Sequence, residues 1–291
     1  MRALVFGTTG QVARELALTA AGVELTALGR AEVDLADAAA CAAAVAGAEA
    51  DVVINAAAYT AVDQAEDEPT LAQAINGAAP GAMARAAAAK GVPLLHVSTD
   101  YVFDGAPGRP WREDDPTGPL GAYGMSKRAG EEAVLAAGGD AVILRTAWVF
   151  SSHGRNFVKT MLGVGRGRDE MRVVGDQQGG PTPARDIAEA LWTIARARLA
   201  GRGAPGIYHF AGAPAVSWAE FAEAVFAESG WAERPRVTAI ATADWPTRAR
   251  RPANSVLDCG AISRAFGIAQ PDWRAGLARV VAELSKEEAQ S

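Results

Sequence analysis

Ala3-Leu4-Val5-Phe6-Gly7-Thr8-Thr9-Gly10-Gln11-Val12-Ala13 opens the chain as an apolar run, a glycine turn and a helical start. An uninterrupted apolar run that ends at glycine reads as a parallel strand buried on both faces. Gly7 and Gly10 set a G-x-x-G-x-x-A spacing. Gln11 and Val12 enter the helix, and Ala13 is the small residue that lets helix and strand pack closely. Glycines here permit a tight turn and let a pyrophosphate approach the backbone. Free N–H groups and the dipole at a helix N-terminus favour that anion. Many strands end in a glycine turn that binds nothing; the strand–turn–helix context points to a dinucleotide.

Further along, residues 23–28 read as a second strand ending in Gly29-Arg30. An NAD-preferring site carries an acidic residue at this strand end, whereas an arginine pairs with a 2′-phosphate. Arg30 therefore favours NADPH; NADH stays open, because Arg30 also fits a solvated loop. Asp34 and Leu35 come next and border the adenine in this reading. A helix over 36–46 leads to a third strand over 51–55, which ends in Ala56-Ala57-Ala58. Small residues there let a cofactor lie flat on the backbone. Thr60, Val62 and Asp63 follow at the carboxyl edge, where ligands bind in open α/β sheets. Pro69 starts a long helix that contains Asn76, a residue helices disfavour. The fourth strand, 92–97, holds His96 among apolar neighbours as a core histidine and delivers Thr99, Asp100 and Tyr101 to the same edge. Residues 104–119, rich in Gly, Pro and charge, predict a long loop, and 141–145 a fifth strand.

Tyr123 and Lys127 lie between the fourth and fifth strands, four residues apart and hence on one helix face. A phenol titrates near about 10, and an ammonium beside it favours the phenolate. Such a pair can pass a proton to or from a substrate oxygen. Thr99 sits at a strand end near the same place. Its hydroxyl and the phenol can both donate to an oxygen that gains negative charge.

The chain has 291 residues, 49% of them hydrophobic and 21% charged, which suits one α/β unit with a smaller lobe. A net charge of −6 argues against a nucleic-acid or membrane-surface binder. Cys41 and Cys259 have no metal-ligand neighbours in sequence and suit a reducing, cytoplasmic setting. With the first strand starting at once no signal peptide is expected, and no apolar run approaches the roughly 20 residues of a membrane span. The strand–helix alternation predicts an α/β fold, a doubly wound parallel Rossmann sheet with a small C-terminal substrate-binding lobe. Residues 1–150 are expected to form the NADP-binding core. Residues 151–291 are expected to form mainly the lobe, with segments around 171–210 returning to the core. Ser217 to Glu220 is a capping box, and 273–284 reads as a C-terminal helix.

GTTGQVA (7–13), NAAAYTAVDQAE (55–66), STDYVFDG (98–105), YGMSK (123–127), RTAWVF (145–150), NFVKTML (156–162), DQQGGPTPA (176–184) and RRPANS (250–255) resemble one family. It is the dTDP-4-dehydrorhamnose reductase family, within the extended short-chain dehydrogenase/reductases. The resemblance covers nearly the whole chain. It implies NADPH-dependent reduction of dTDP-4-dehydro-β-L-rhamnose to dTDP-β-L-rhamnose. Tyr123 would donate the proton to the C4 oxygen, Lys127 would hold the nicotinamide ribose and lower the tyrosine pKa, and Thr99 would orient the carbonyl. Thr60, Val62, Asp63, Asp100, Tyr101, Trp148 and Asn156 would line the sugar pocket, with Arg250 and Arg251 on the diphosphate. Glu15 aligns with a glutamate that in some relatives joins a magnesium-linked dimer contact, so a magnesium ion and a homodimer stay open. Two alternatives remain: a 4-ketoreductase for another nucleotide-linked deoxysugar, and a non-catalytic NADP-binding subunit, which should lack an intact Thr99–Tyr123–Lys127 set.

Overall fold

The computed structural model describes residues 1–106 and 108–290, with side chains as far as 286. The core is a six-stranded sheet. In chain order β1 (Arg2–Phe6), α1 (Gln11–Leu18), β2 (Glu24–Leu28), α2 (Ala38–Gly47) and β3 (Val52–Asn55) come first. Then follow α3 (Pro69–Gln73), a π-helical turn (Ala74–Ala78), α4 (Ala79–Lys90), β4 (Leu94–Thr99), α5 (Ala122–Ala136) and β5 (Ala141–Thr146). The second half adds β6 (Val149–Phe150), α6 (Phe157–Gly165), β7 (Glu170–Val174), β8 (Gln178–Gly179), β9 (Thr182–Pro183), α7 (Ala184–Leu199) and β10 (Gly206–His209). The chain ends with β11 (Val216–Ser217), α8 (Trp218–Glu228), β12 (Arg236–Ile240), β13 (Asn254–Ser255), α9 (Gly260–Phe266) and α10 (Trp273–Gln290).

The sheet order is β10-β5-β4-β3-β1-β2, with every pairing parallel. Strand alternation explains why both faces are covered. Ala3, Val5, Val52, Ile54, Leu95, Val142 and Leu144 point to one face, where α1 and α7 pack. Leu4, Phe6, Val53, Leu94 and Ile143 point to the other, packed with Met83 and Ala87 of α4 and Val134 of α5. The strand order reverses between β1 and β3, so their carboxyl ends open a crevice, the usual ligand edge of such a sheet.

Of the segment expected to return to the core, α7 and β10 do. The Trp192 indole of α7 donates to Leu16 O of α1 at 3.3 Å, and β10 pairs with β5. The expectation is corrected for β7, which pairs with β12 in a separate two-stranded sheet. The lobe has its own core of Phe150, Val158, Phe221, Phe226, Trp273 and Val281. The capping box opens α8 as expected, and the last helix runs beyond 284. No helix of the described residues is long and apolar enough to cross a membrane.

The long helix from Pro69 is interrupted at the π-turn, and Asn76 explains why. Its Oδ1 accepts from Tyr59 N at 2.8 Å, and its Nδ2 donates to Tyr59 O and to Ser126 Oγ, both at 3.0 Å. The Asn76 carbonyl, displaced by the π-turn, lies against α5: a Cβ added at Gly130 would sit 2.0 Å from Asn76 O. Gly130→Ala is therefore expected to lower the unfolding free energy by about 1–3 kcal/mol through overpacking. A urea midpoint equal to wild type would show that α5 and the π-turn separate without cost.

Candidate active site

Gly7 ends β1 with φ +116, a left-handed conformation that favours glycine. A Cβ there would meet Ala13 Cβ at 3.2 Å and Ala57 Cβ at 3.5 Å. Gly10 is the N-cap of α1, and no side chain caps that end. The exposed amides, the absence of a Cβ and the small residues at 56–58 form a cradle that fits a dinucleotide pyrophosphate. Val12 is buried behind it. Gln11 turns away from the cradle: its Oε1 accepts from Ser151 Oγ and Asn156 Nδ2, both at 2.9 Å. At the adenine end Arg30 is 83% exposed and 3.8 Å from Asp34, so it is open to a phosphate group; Leu35 packs against the core.

Thr99 is the last residue of β4, and Tyr123 lies in the first turn of α5. The start of α5 is fixed by Glu66, whose Oε1 accepts from Ala122 N at 2.8 Å. The Ser126 hydroxyl donates to Tyr123 O at 2.8 Å. The Tyr123 ring meets Tyr101 edge-on, with centroids 5.4 Å apart. Gly124 makes this approach possible, since a Cβ there would sit 2.3 Å from Tyr101 O. Burial pushes the phenol well above its usual range, opposed by a hydrogen bond with Thr99 and reinforced by the charge of Asp100. A phenol so held is protonated at neutral pH, and burial makes it a weaker acid than a free phenol.

Lys127 lies one turn along α5 from Tyr123. Its buried Nζ points into β4, donating to Val97 O at 2.7 Å with His96 Nε2 at 3.4 Å. The groups around the phenol that shift it are Thr99, Asp100 and Tyr101, after burial. Burial lowers the lysine itself to about 8, against the pull of Glu131. Glu131 lies one turn further along α5, paired with Arg145 at 2.7 Å with both side chains 3% exposed.

The substrate-side residues divide. Asp63 and Arg251, expected separately, pair with each other at 2.6 Å, and Asp63 Oδ1 also accepts from Ala249 N at 3.0 Å. Among the described residues Arg251 Nη1, Asp100 Oδ2 and Thr146 Oγ1 are buried polar atoms with no hydrogen-bond partner. Tyr101 is close to Arg251, which draws its phenol down against burial. Thr60 is exposed beside half-buried Val62, and Arg250 is exposed. Asn156 is spent on structure: it caps α6 through Lys159 N at 3.1 Å and donates to Ser151 O at 2.8 Å. Trp148, at φ +48, stacks on Trp218 of α8 at 3.4 Å and 8°, tying the sheet edge to the lobe.

Among the described residues no group of three or more His, Cys, Asp or Glu could hold a metal ion. Glu15 is buried 3.7 Å from His153, so its neighbours do not by themselves make a magnesium site. Sequence reasoning missed Asn55, Glu131 and Arg145 and left His96 in the core. One signal was available: Glu131 follows Lys127 by four residues on one helix face.

A family profile described as RmlD substrate binding domain matches residues 1–286. A dTDP-4-dehydrorhamnose reductase of Sinorhizobium fredii is 46% identical, covering 99% of each chain. The chain belongs to the dTDP-4-dehydrorhamnose reductase family. A family member from Burkholderia thailandensis is 45% identical over 98% of this chain and 99% of its own. The crystal structure of a family member from Bacillus anthracis, solved in complex with NADP, superposes with a TM-score of 0.89. It is 32% identical and covers 97% of this chain and 99% of its own. Members of this family are oxidoreductases, and the edge formed by Gly7, Thr99 and Tyr123 is where such chemistry fits the present chain.

Asp100 yields a prediction. Burial raises its carboxyl to about 6, against hydrogen bonds from Ser255 and Thr99. An unfolded aspartate titrates near about 3.9, so the folded state holds the extra proton between these values. Stability from this group is therefore lost as pH rises through about 4 to 6. Asp100→Asn abolishes that loss, and its melting temperature relative to wild type is expected to climb over that interval. A difference that stays flat with pH would show that Asp100 ionises normally.

Proposed function

We propose that this chain reduces the C4 keto group of dTDP-4-dehydro-β-L-rhamnose, using NADPH, to give dTDP-β-L-rhamnose. The meeting of Thr99 and a protonated Tyr123 at the carboxyl edge carries this reading, within a chain alike in full length to reductases of that name. NADPH, once held by these residues, would supply the hydride for C4. Tyr123 gives its phenolic proton to the C4 oxygen as charge grows there, and the Thr99 hydroxyl, which donates to Asp100 Oδ1 at 3.0 Å in the unliganded chain, turns to the same oxygen. Arg251, with one unpartnered Nη1 beside Tyr101, suits the sugar diphosphate. Gly7, Gly10 and residues 56–58 would hold the cofactor pyrophosphate, and Arg30 its 2′-phosphate. The two free, buried cysteines, Cys41 and Cys259, fit a cytoplasmic setting.

Purified protein mixed with the keto sugar and NADPH is expected to consume NADPH; an inert protein beside an active family member would sink the assignment. Tyr123→Phe should lose at least about 100-fold in kcat while still binding NADPH. Near-normal turnover in that variant would assign the proton to another group. Arg30→Ala should weaken NADPH about tenfold and leave NADH unchanged, as expected for loss of one charge-assisted contact. Equal effects on both cofactors would remove Arg30 from the 2′-phosphate.

A further inference from the structure

On the α5 face of the sheet the apolar side chains give way, toward the carboxyl edge, to a polar tier. Val53 is followed on its face by Asn55, Leu94 by His96 and Ser98, and Ile143 by Arg145. All four polar side chains are buried beneath α5, and the parallel register sets Asn55 beside His96. We propose that Asn55 and His96 form a hydrogen-bond chain of fixed polarity that presents an N–H to Lys127. In that role they are positioning residues that tune when the lysine holds its proton.

The polarity is dictated from one end. The Ala57 amide, which can only donate, reaches Asn55 Oδ1 at 3.2 Å. The Asn55 oxygen is thereby assigned, so its NH2 faces His96 Nδ1 at 3.1 Å. A ring nitrogen that accepts is unprotonated, and a neutral imidazole then carries its hydrogen on the other nitrogen. That nitrogen, Nε2, lies 3.4 Å from Lys127 Nζ. An ammonium has three donors and no acceptor, so an N–H facing it is unfavourable; an amine offers a lone pair to the same N–H. His96 cannot relieve the conflict by charging. A second ring proton would point at the Asn55 NH2, and burial beside Lys127 holds the ring well below its ordinary titration.

Other groups face the lysine. Val97 O accepts from it and favours the ammonium, the stronger donor. Glu131, one turn along α5, favours the ammonium. Its carboxylate is already engaged by Arg145 of β5 and by Ser98 Oγ of β4 at 2.5 Å. Tyr123 stands one turn earlier as a neutral phenol, next to Asp100 at the end of β4. Burial acts in the same direction as the His96 N–H, toward a lysine that releases its proton near about 8. A lysine so poised fits a helix whose Tyr123 gives up and regains a proton at each turnover. That last link rests on the proposed reductase function, while the chain itself does not.

The test is NMR on the unliganded protein, with its four lysines and three histidines isotopically labelled. Lys127 is assigned by its loss in Lys127→Arg, and His96 by its loss in His96→Gln. We expect His96 as the Nε2–H tautomer, and Lys127 titrating about two pH units below an ordinary lysine. Asn55→Asp reverses the chain, because a carboxylate accepts from both Ala57 N–H and His96 Nδ1–H and turns a lone pair toward Lys127. Its Lys127 midpoint should rise by at least about one pH unit, and any basic limb of the kcat profile should follow it. An Nδ1–H tautomer in wild type, or an unmoved midpoint in Asn55→Asp, overturns the proposal. The tautomer is read in wild type, so the test survives a variant that does not fold. Neither NMR readout needs turnover, so failure here and failure of the reductase assignment are separate results.

Discussion

The Glu131 carboxylate is held beneath α5 by the Arg145 guanidinium and the Ser98 hydroxyl, and the site geometry hangs on that grip. A buried ion pair adds little net stability over an apolar pair, yet removing one partner costs about 3–5 kcal/mol. What it supplies here is placement. Helix α5 lies across a sheet whose apolar side chains would accept it at several rotations and depths. A carboxylate that must reach Arg145 and Ser98 accepts one. Tyr123 and Lys127, two turns and one turn earlier on the same helix, inherit that setting. Gly124 and Gly130 then let the helix close onto the Tyr101 and Asn76 carbonyls.

A second set of contacts positions the lobe. Asp63 follows β3 and Arg251 precedes β13, yet they pair across 188 positions of the chain. Gly105, after β4, lies against Pro252; a Cβ there would sit 2.4 Å from the proline Cβ. Trp148 and Trp218 stack where β5 leaves the sheet and α8 begins. These links bring the 250–255 segment over the same carboxyl edge that carries Thr99. They leave one guanidinium nitrogen and one carboxyl oxygen buried without partners. Such atoms are costly in a finished core and are ordinary in a binding cleft.

Much of this was legible in the sequence, because period and turn chemistry are local. The run at 3–6 followed by Gly7 read as a buried strand entering a tight turn. The four-residue spacing of Tyr123 and Lys127 placed them on one face whatever the fold. Asn76 stood out because helices do not favour asparagine, and its amide indeed holds the Tyr59 loop. Less legible were the residues whose role depends on a neighbour distant in the chain. His96 in an apolar strand looks the same whether it faces leucine or Lys127. Asn156 looks like a pocket residue until Gln11 is seen at its amide.

The sequence by itself determined the parallel sheet, the glycine turn at Gly7 to Ala13 and the placing of a phenol and a lysine on one face of α5. These follow from side-chain period, from glycine's conformational freedom and from the four-residue spacing. Only the tertiary structure decided how that phenol is tuned. Lys127 turns toward Val97 and His96, and burial beside Thr99 and Asp100 raises Tyr123. The physical reason is that a charge is set by desolvation and by the direction of each hydrogen bond around it. Both depend on which strands are neighbours, and that is fixed when β3, β4 and β5 lie side by side beneath α5.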